Sequence, residues 1–186
     1  ERKISLISGK ACVKALNKKY KVLTLDPKGN FINEIRKNKP QIVFNALHGR
    51  YGEDGFVQSI LESERIKYTH SGVLASSIAI DKEISKKIFI KNNINTPKYF
   101  IYDYKNNKKI LFELKKKKIN FPVVIKPINE GSSLGVFICT KKNIHKKLLL
   151  LKDYQRIIVE EYIPGREIQV AIMGKKKLGA IELKPK

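Results

Sequence analysis

Hydrophobic and polar positions follow one rhythm up to about residue 93 and another beyond it. Two short apolar runs, KVLTLD at 21–26 and QIVFNAL at 41–47, have the length and residue types of strands. Between them, FINEIRKN puts Phe31, Ile32 and Ile35 at helical spacing. Ahead of them, Leu6, Ala11, Val13 and Leu16 fall near one face of a helix. A further stripe, Phe56, Val57, Ile60 and Leu61, runs through 55–65 with Asp54 as a candidate N-cap, and 73–93 continues as helix. Helices alternating with strands predict a parallel sheet. The strand expected before the first helix is missing, the single methionine is Met173, and the chain stops in strand-like GAIELKPK. It therefore reads as a fragment at both ends.

Pro97 breaks the helical run. A strand at 98–103 and a lysine-rich helix near 107–118 follow. FPVVIKP and GVFICT read as strands around a polar loop. A helix around 143–151 leads to the strand RIIVEEY, and REIQVAIMG and KLGAIELK pair as a hairpin about Gly174–Lys177. The whole is an α/β chain in two parts, a parallel β/α domain over 1–95 and a small α+β domain with an antiparallel sheet over 96–186, divided near 93–97.

Composition narrows the function classes. The 186 residues suffice for one ordinary domain or two small ones, and 42% hydrophobic residues argue against wholesale disorder. No apolar run approaches a membrane span, and the first ten residues are too charged for a signal peptide. Cys12 and Cys139 fit no metal spacing and read as buried free thiols in a reducing compartment. A net charge of +22 alone suggests nucleic acid. Against that stand 33 lysines to 6 arginines, scattered over polar faces and without interleaved aromatic residues. With 26 isoleucines and 13 asparagines alongside, the lysines reflect AT-rich coding as readily as a ligand.

Four stretches carry chemistry. In VVIKPINEGSSLGVF, Lys126 leaves a strand just before a loop whose Gly131 and Gly135 free the backbone and whose Ser132 and Ser133 add hydroxyls. Such a loop can cradle oxyanions beside a compact cation, though an ordinary hairpin with an incidental lysine would look the same. It is neither a P-loop nor a G-x-G-x-x-G turn. In VEEYIPGRE, a strand running into Glu160, Glu161, Tyr162 and Ile163 can offer backbone groups to an adenine edge. Glu167 could then accept from ribose hydroxyls. HGRYGEDG at 48–55 follows a strand and precedes a helix, a place that attracts anions. Lys82 sits near a helix start close to the domain boundary.

Taken in order, these stretches resemble the D-alanine–D-alanine ligases of the ATP-grasp superfamily. ERKISLISG is similar to that family's Glu-Arg-x-x-Ser-Leu-x-Ser-Gly opening, and HGRYGEDG to its His-Gly-x-x-Gly-Glu-Asp-Gly. GVLASSIAIDKEISKKIF, PVVIKPINEGSSLGV and VEEYIPGREIQVAIMG match three further motifs. The resemblance covers essentially the whole chain. It implies a pre-ATP-grasp β/α domain and a central ATP-grasp subdomain, with ATP as cofactor. Lys82 and Lys126 would bind phosphates, and the loop Glu130–Gly135 would close over them. Glu160, Glu161, Tyr162 and Ile163 would line the adenine, and Glu167 would hold the ribose. Glu1 would face the ammonium of the first D-alanine, with Ser132 in the network that positions it and His48 beside it. Two D-alanines would be joined through an acyl phosphate for peptidoglycan synthesis in the cytoplasm. A homodimer is expected of the full-length protein, with no nucleic-acid or membrane partner. Magnesium ligands, an arginine near the acyl phosphate and the second-substrate loop would lie in a third domain beyond Lys186, so the 186 residues alone are expected to be inactive. Alternatives are another ATP-grasp carboxylate–amine ligase or a basic nucleotide- or nucleic-acid-binding module.

Overall fold

The chain begins with the longest helix, α1 (Arg2–Leu16), followed by α2 (Phe31–Asn38), β1 (Ile42–Val43), α3 (Phe56–Ser63), β2 (Lys67–Tyr68), α4 (Val73–Ile80) and α5 (Lys82–Lys91). The structure, a computed structural model, describes residues 1–106 and 109–184. Its second half holds β3 (Tyr99–Asp103), α6 (Ile110–Lys117), β4 (Val123–Pro127), β5 (Phe137–Cys139), α7 (Ile144–Leu149), β6 (Arg156–Glu161), β7 (Glu167–Met173) and β8 (Lys176–Leu183). The expected mixed architecture is present: β1 and β2 pair in parallel, and the remaining strands pair antiparallel.

Several elements differ from the sequence reading. The run 21–26 pairs with no strand among the described residues, and only Ile42 and Val43 of 41–47 are strand. An apolar run becomes a strand only when a neighbour accepts its backbone groups, and here β1 has just β2, a two-residue partner that the sequence did not announce. The helix expected over 73–93 is two helices. Asp81 takes an extended backbone conformation, and its carboxylate accepts from the backbone N–H of Ile84 at 2.9 Å, capping α5 and ending α4. The first residues of the helix expected near 107–118 lie outside the described residues. Finally, β7 and β8 do not join the antiparallel sheet of the second half but form a separate ribbon. Pro164 and Gly165, the latter at φ 152°, stand between β6 and β7.

The four-stranded sheet runs β3-β6-β4-β5. Alternation along β4 sends Val123 and Ile125 to one face, where they meet Ile157 and Val159 of β6 and the apolar sides of α6 and α7. Burying each such aliphatic side chain contributes about 1.5–3 kcal/mol. The same alternation sends Lys126, Ile158 and Glu160 to the other face. Register sets Lys126 opposite Ile158 and Val124 opposite Glu160, so Lys126 and Glu160 are diagonal neighbours. That face turns toward α5 of the first half. The first half has a smaller core, Ile35, Val57 and Leu61, with Leu25, Val43, Leu47 and Tyr68 around it.

Candidate functional site

Lysines from both halves converge on the polar face of the sheet. Lys126 forms an ion pair with Glu160 Oε1, and Lys86 of α5 reaches Glu160 Oε2 at 2.9 Å. Lys82, one helical turn before Lys86, donates its ammonium to the carbonyls of Ile128 and Glu130, and its backbone N–H also donates to Ile128 at 3.1 Å. Burial, and then the neighbouring charge of Lys126, hold the Lys82 amine below its ordinary lysine value. Burial lowers the Lys86 amine too, with Lys126 adding to the effect and Glu160 opposing it. Both amines are lowered mainly because burial penalises the ammonium form, and an anion arriving beside them would offset that penalty.

Lys82 and Lys126, but not Lys86, face a cavity of about 380 Å³ lined also by Glu130, Glu167 and the loop 131–134. The loop is a tight turn. The Leu134 N–H donates to the Gly131 carbonyl at 3.0 Å, and both central residues, Ser132 and Ser133, take positive φ, 50° and 57°. Both serines are exposed and line the cavity. Gly135, at φ 68°, ends the loop where no side chain fits: a Cβ there would lie 2.9 Å from Leu151 Cδ2 and 3.0 Å from Pro127 Cγ.

The other end of the loop touches the first half. A Cβ on Gly131 would come within 3.2 Å of both Gly49 Cα and Glu53 Oε2, and one on Gly49 would fall inside the Glu1 carboxylate. The Arg50 N–H donates to Glu1 Oε2 at 3.2 Å, whereas Glu1 Oε1 is buried without a hydrogen-bond partner among the described residues. A buried carboxylate oxygen lacking a donor is costly, and a cationic or N–H ligand would relieve it. His48 is held alongside. Its backbone N–H donates to the Ser5 hydroxyl oxygen at 3.0 Å, its Nε2 lies 2.9 Å from Ser8 Oγ, and its Nδ1 lies 3.7 Å from Glu53 Oε1. Glu53 also accepts from the Gly49 N–H. Asp54 is not the N-cap expected from the sequence: Gly55, at φ 94°, takes that position without a side-chain cap, and Asp54 instead braces the preceding turn by accepting from the N–H groups of Tyr51 at 2.9 Å and Phe56 at 3.1 Å.

Two groups of the residues singled out in the sequence thus come together, and they share the loop. Lys82, Lys126, Glu130, Gly131, Ser132, Ser133 and Glu167 surround the cavity, while Glu1 stands behind Gly131 and His48 is the chain neighbour of Gly49, which packs there too. Glu161, Tyr162 and Ile163 lie along the end of β6 and the connector after it, and Ile163 is 59% exposed. Glu160 is 6% exposed and committed to two lysines. The sequence reading passed over Lys86, Glu53, Ser5 and Ser8. For Lys86 a signal existed: it stands four residues after Lys82, on the same helical face. Among the described residues, no group of three or more His, Cys, Asp or Glu is placed to hold a metal ion.

Comparison with known proteins adds a family to this geometry. Residues 88–185 match the family described as D-ala D-ala ligase C-terminus. A D-alanine--D-alanine ligase of Pelagibacter ubique is 60% identical over 187 residues, covering 100% of this chain and 62% of that protein. Two crystal structures of D-alanine--D-alanine ligase from Bacillus anthracis superpose with TM-scores of 0.81. One, 37% identical, covers 98% of this chain and 60% of its own. The other, complexed with ATP, is 30% identical and covers 100% and 62%. The chain therefore spans less than two thirds of the length of these relatives.

Proposed function

The chain belongs to the D-alanine–D-alanine ligase family, and on that premise we propose that it forms the nucleotide cradle and the first-substrate side of an ATP-dependent ligase joining two D-alanines for peptidoglycan synthesis. The observation that carries the reading is the shared cavity: two lysines from different halves and an open-backbone loop surround one space. The triphosphate lies there against Lys82 and Lys126, with the loop Glu130–Gly135 closing over it. Glu160, Glu161, Tyr162 and Ile163 line the adenine, in part through backbone groups, and Glu167 holds the ribose. The ammonium of the first D-alanine meets the partnerless oxygen of Glu1, near His48, and Ser132 takes part in positioning it.

The chemistry asks for this layout. A carboxylate is a poor electrophile. The γ-phosphoryl group passes from ATP to a carboxylate oxygen of the first D-alanine, and ADP departs. The amine of a second D-alanine attacks the acyl carbon, phosphate leaves, and the amine loses a proton. Lysine ammoniums aimed at the phosphoryl group stabilise the charge that develops on its oxygens. The loop excludes water that would otherwise consume the acyl phosphate. Such ligases are expected to use magnesium, but Glu130 and Glu167 are the acids on this cavity and no cluster accompanies them. The described residues do not fit the ion.

The boundaries 1–95 and 96–186 are proposed for the two domains, with work in the cytoplasm and a homodimer for the longer protein. Among the described residues no helix is long and apolar enough to cross a membrane. Titration calorimetry with ATP tests the reading. Replacing Lys126 by Ala removes a charge-assisted contact and weakens binding by about 1.5–3 kcal/mol. Equal affinities for the two chains would take Lys126 out of the site. Binding that collapses with salt as polyphosphate backbones do would favour a nucleic-acid ligand instead.

A further inference from the structure

Lys86 has no part in the reaction described above, yet it is among the most constrained polar side chains of the molecule. Its side chain is 8% exposed. The ammonium lies 2.9 Å from Glu160 Oε2, donates to Thr96 Oγ1 at 2.6 Å and to the Pro97 carbonyl at 3.1 Å, and sits 5.0 Å from the centre of the Tyr99 ring. Two hydrogen bonds and one ion pair hold the ammonium among three oxygens. It cannot touch the nucleotide itself, because Glu160 stands between it and Lys126.

The arithmetic of charge gives Lys86 a task. Glu160 is one carboxylate shared by two ammoniums. With Lys86 holding one carboxylate oxygen, the three groups Lys86, Glu160 and Lys126 together carry one positive charge. Without Lys86, Glu160 would belong to Lys126 alone, and the pair would be electrically closed to phosphate. The buried carboxylate would also lose one of its two fixed partners, so the direction in which it holds Lys126 would no longer be set.

We infer that Lys86 is a positioning residue for phosphate recognition: it anchors Glu160 so that Lys126 is oriented into the cavity with its charge uncancelled. The inference rests on the reading of that cavity as a nucleotide site. It also explains why the lysine comes from α5. The helix that presents Lys82 to the cavity presents Lys86, one turn on, to the carboxylate behind it.

The experiment measures binding of ATP, inorganic tripolyphosphate and adenosine by calorimetry to the chain, to Lys86→Met and to Lys86→Met/Glu160→Gln. Thermal denaturation checks that each is folded. The double variant removes the buried Lys86 and Glu160 charges together and leaves only the more exposed Lys126 without its carboxylate, so it remains informative if the single one does not fold. We expect Lys86→Met to weaken ATP and tripolyphosphate about tenfold while adenosine stays within about twofold. We expect the double variant to regain tripolyphosphate affinity, since Lys126 is then free of the carboxylate. A role in packing alone would lower all three ligands together and would not be rescued, and that result overturns the inference. So does unchanged ATP affinity in Lys86→Met, which leaves the nucleotide reading standing. The expected tripolyphosphate pattern with no preference for ATP supports Lys86 and removes the nucleotide reading instead. No binding of any of the three to the unaltered chain overturns both.

Discussion

Single side chains decide how much of the site can be altered. At Gly135 two independent penalties coincide, a φ of 68° and a space closed by Leu151 and Pro127. Gly135→Ala should cost about 1–3 kcal/mol of stability, read from a denaturant midpoint. If the midpoint stays where it was, the loop's foot is not fixed as described. Tyr104 carries a pH dependence. Its hydroxyl donates to the Leu148 carbonyl at 2.6 Å, and burial pushes it up to about 12. The unfolded chain releases that proton from about pH 10 upward, before the folded chain does, so stability should fall between those values. Tyr104→Phe should be less stable at neutral pH by about 1 kcal/mol and lose part of that alkaline decline. Lys82 and Lys86 act in the opposite sense. Their values lie below the ordinary lysine range when folded, so between the two the unfolded chain binds more protons and stability rises with pH.

Among elements, what the sequence discloses depends on whether structure is decided locally. The strands β3, β4 and β6, the hairpin β7–β8 and helices α2 and α3 were legible because alternation or helical spacing reports burial directly. The extent of β1 and the existence of β2 were not, since a strand of two residues is fixed by its partner. The same holds for the site. Lys126 and its loop announced themselves by residue type, as did Glu1 and His48 through a resemblance. The Lys86–Glu160–Lys126 chain was hidden because it depends on register between β4 and β6 and on α5 packing over them. The break between α4 and α5 has a functional edge. Asp81 caps α5 and thereby sets where Lys82 begins. Asp81→Ala should lose about 1 kcal/mol of stability and weaken ATP as well. A variant equally destabilised with unchanged ATP affinity would separate the cap from the site.

Across the whole molecule, the halves are joined through the site rather than beside it. Lys82 to Ile128, Lys86 to Glu160 and Gly131 against Gly49 all cross between them, with an exposed Arg156–Glu83 pair at 2.7 Å adding little. The ribbon β7–β8, by contrast, is exposed along both strands. A chain ending at Ile163 should therefore unfold within a few degrees of the longer one, and trypsin should cut first at Arg166 and Lys175–Lys177. A large fall in the melting temperature would show that the ribbon supports the cores. The loop over the cavity is packed at both feet, at Gly131 against the first half and at Gly135 against Leu151 and Pro127, with three residues between. Leu134 is one of them, 42% exposed at the cavity wall. The protein contains no tryptophan. An indole placed at 134 would be the sole tryptophan of this sequence, and with excitation on the long-wavelength edge, where the tyrosines do not absorb, the closing of a three-residue flap over a ligand could be followed in real time as a change in its emission.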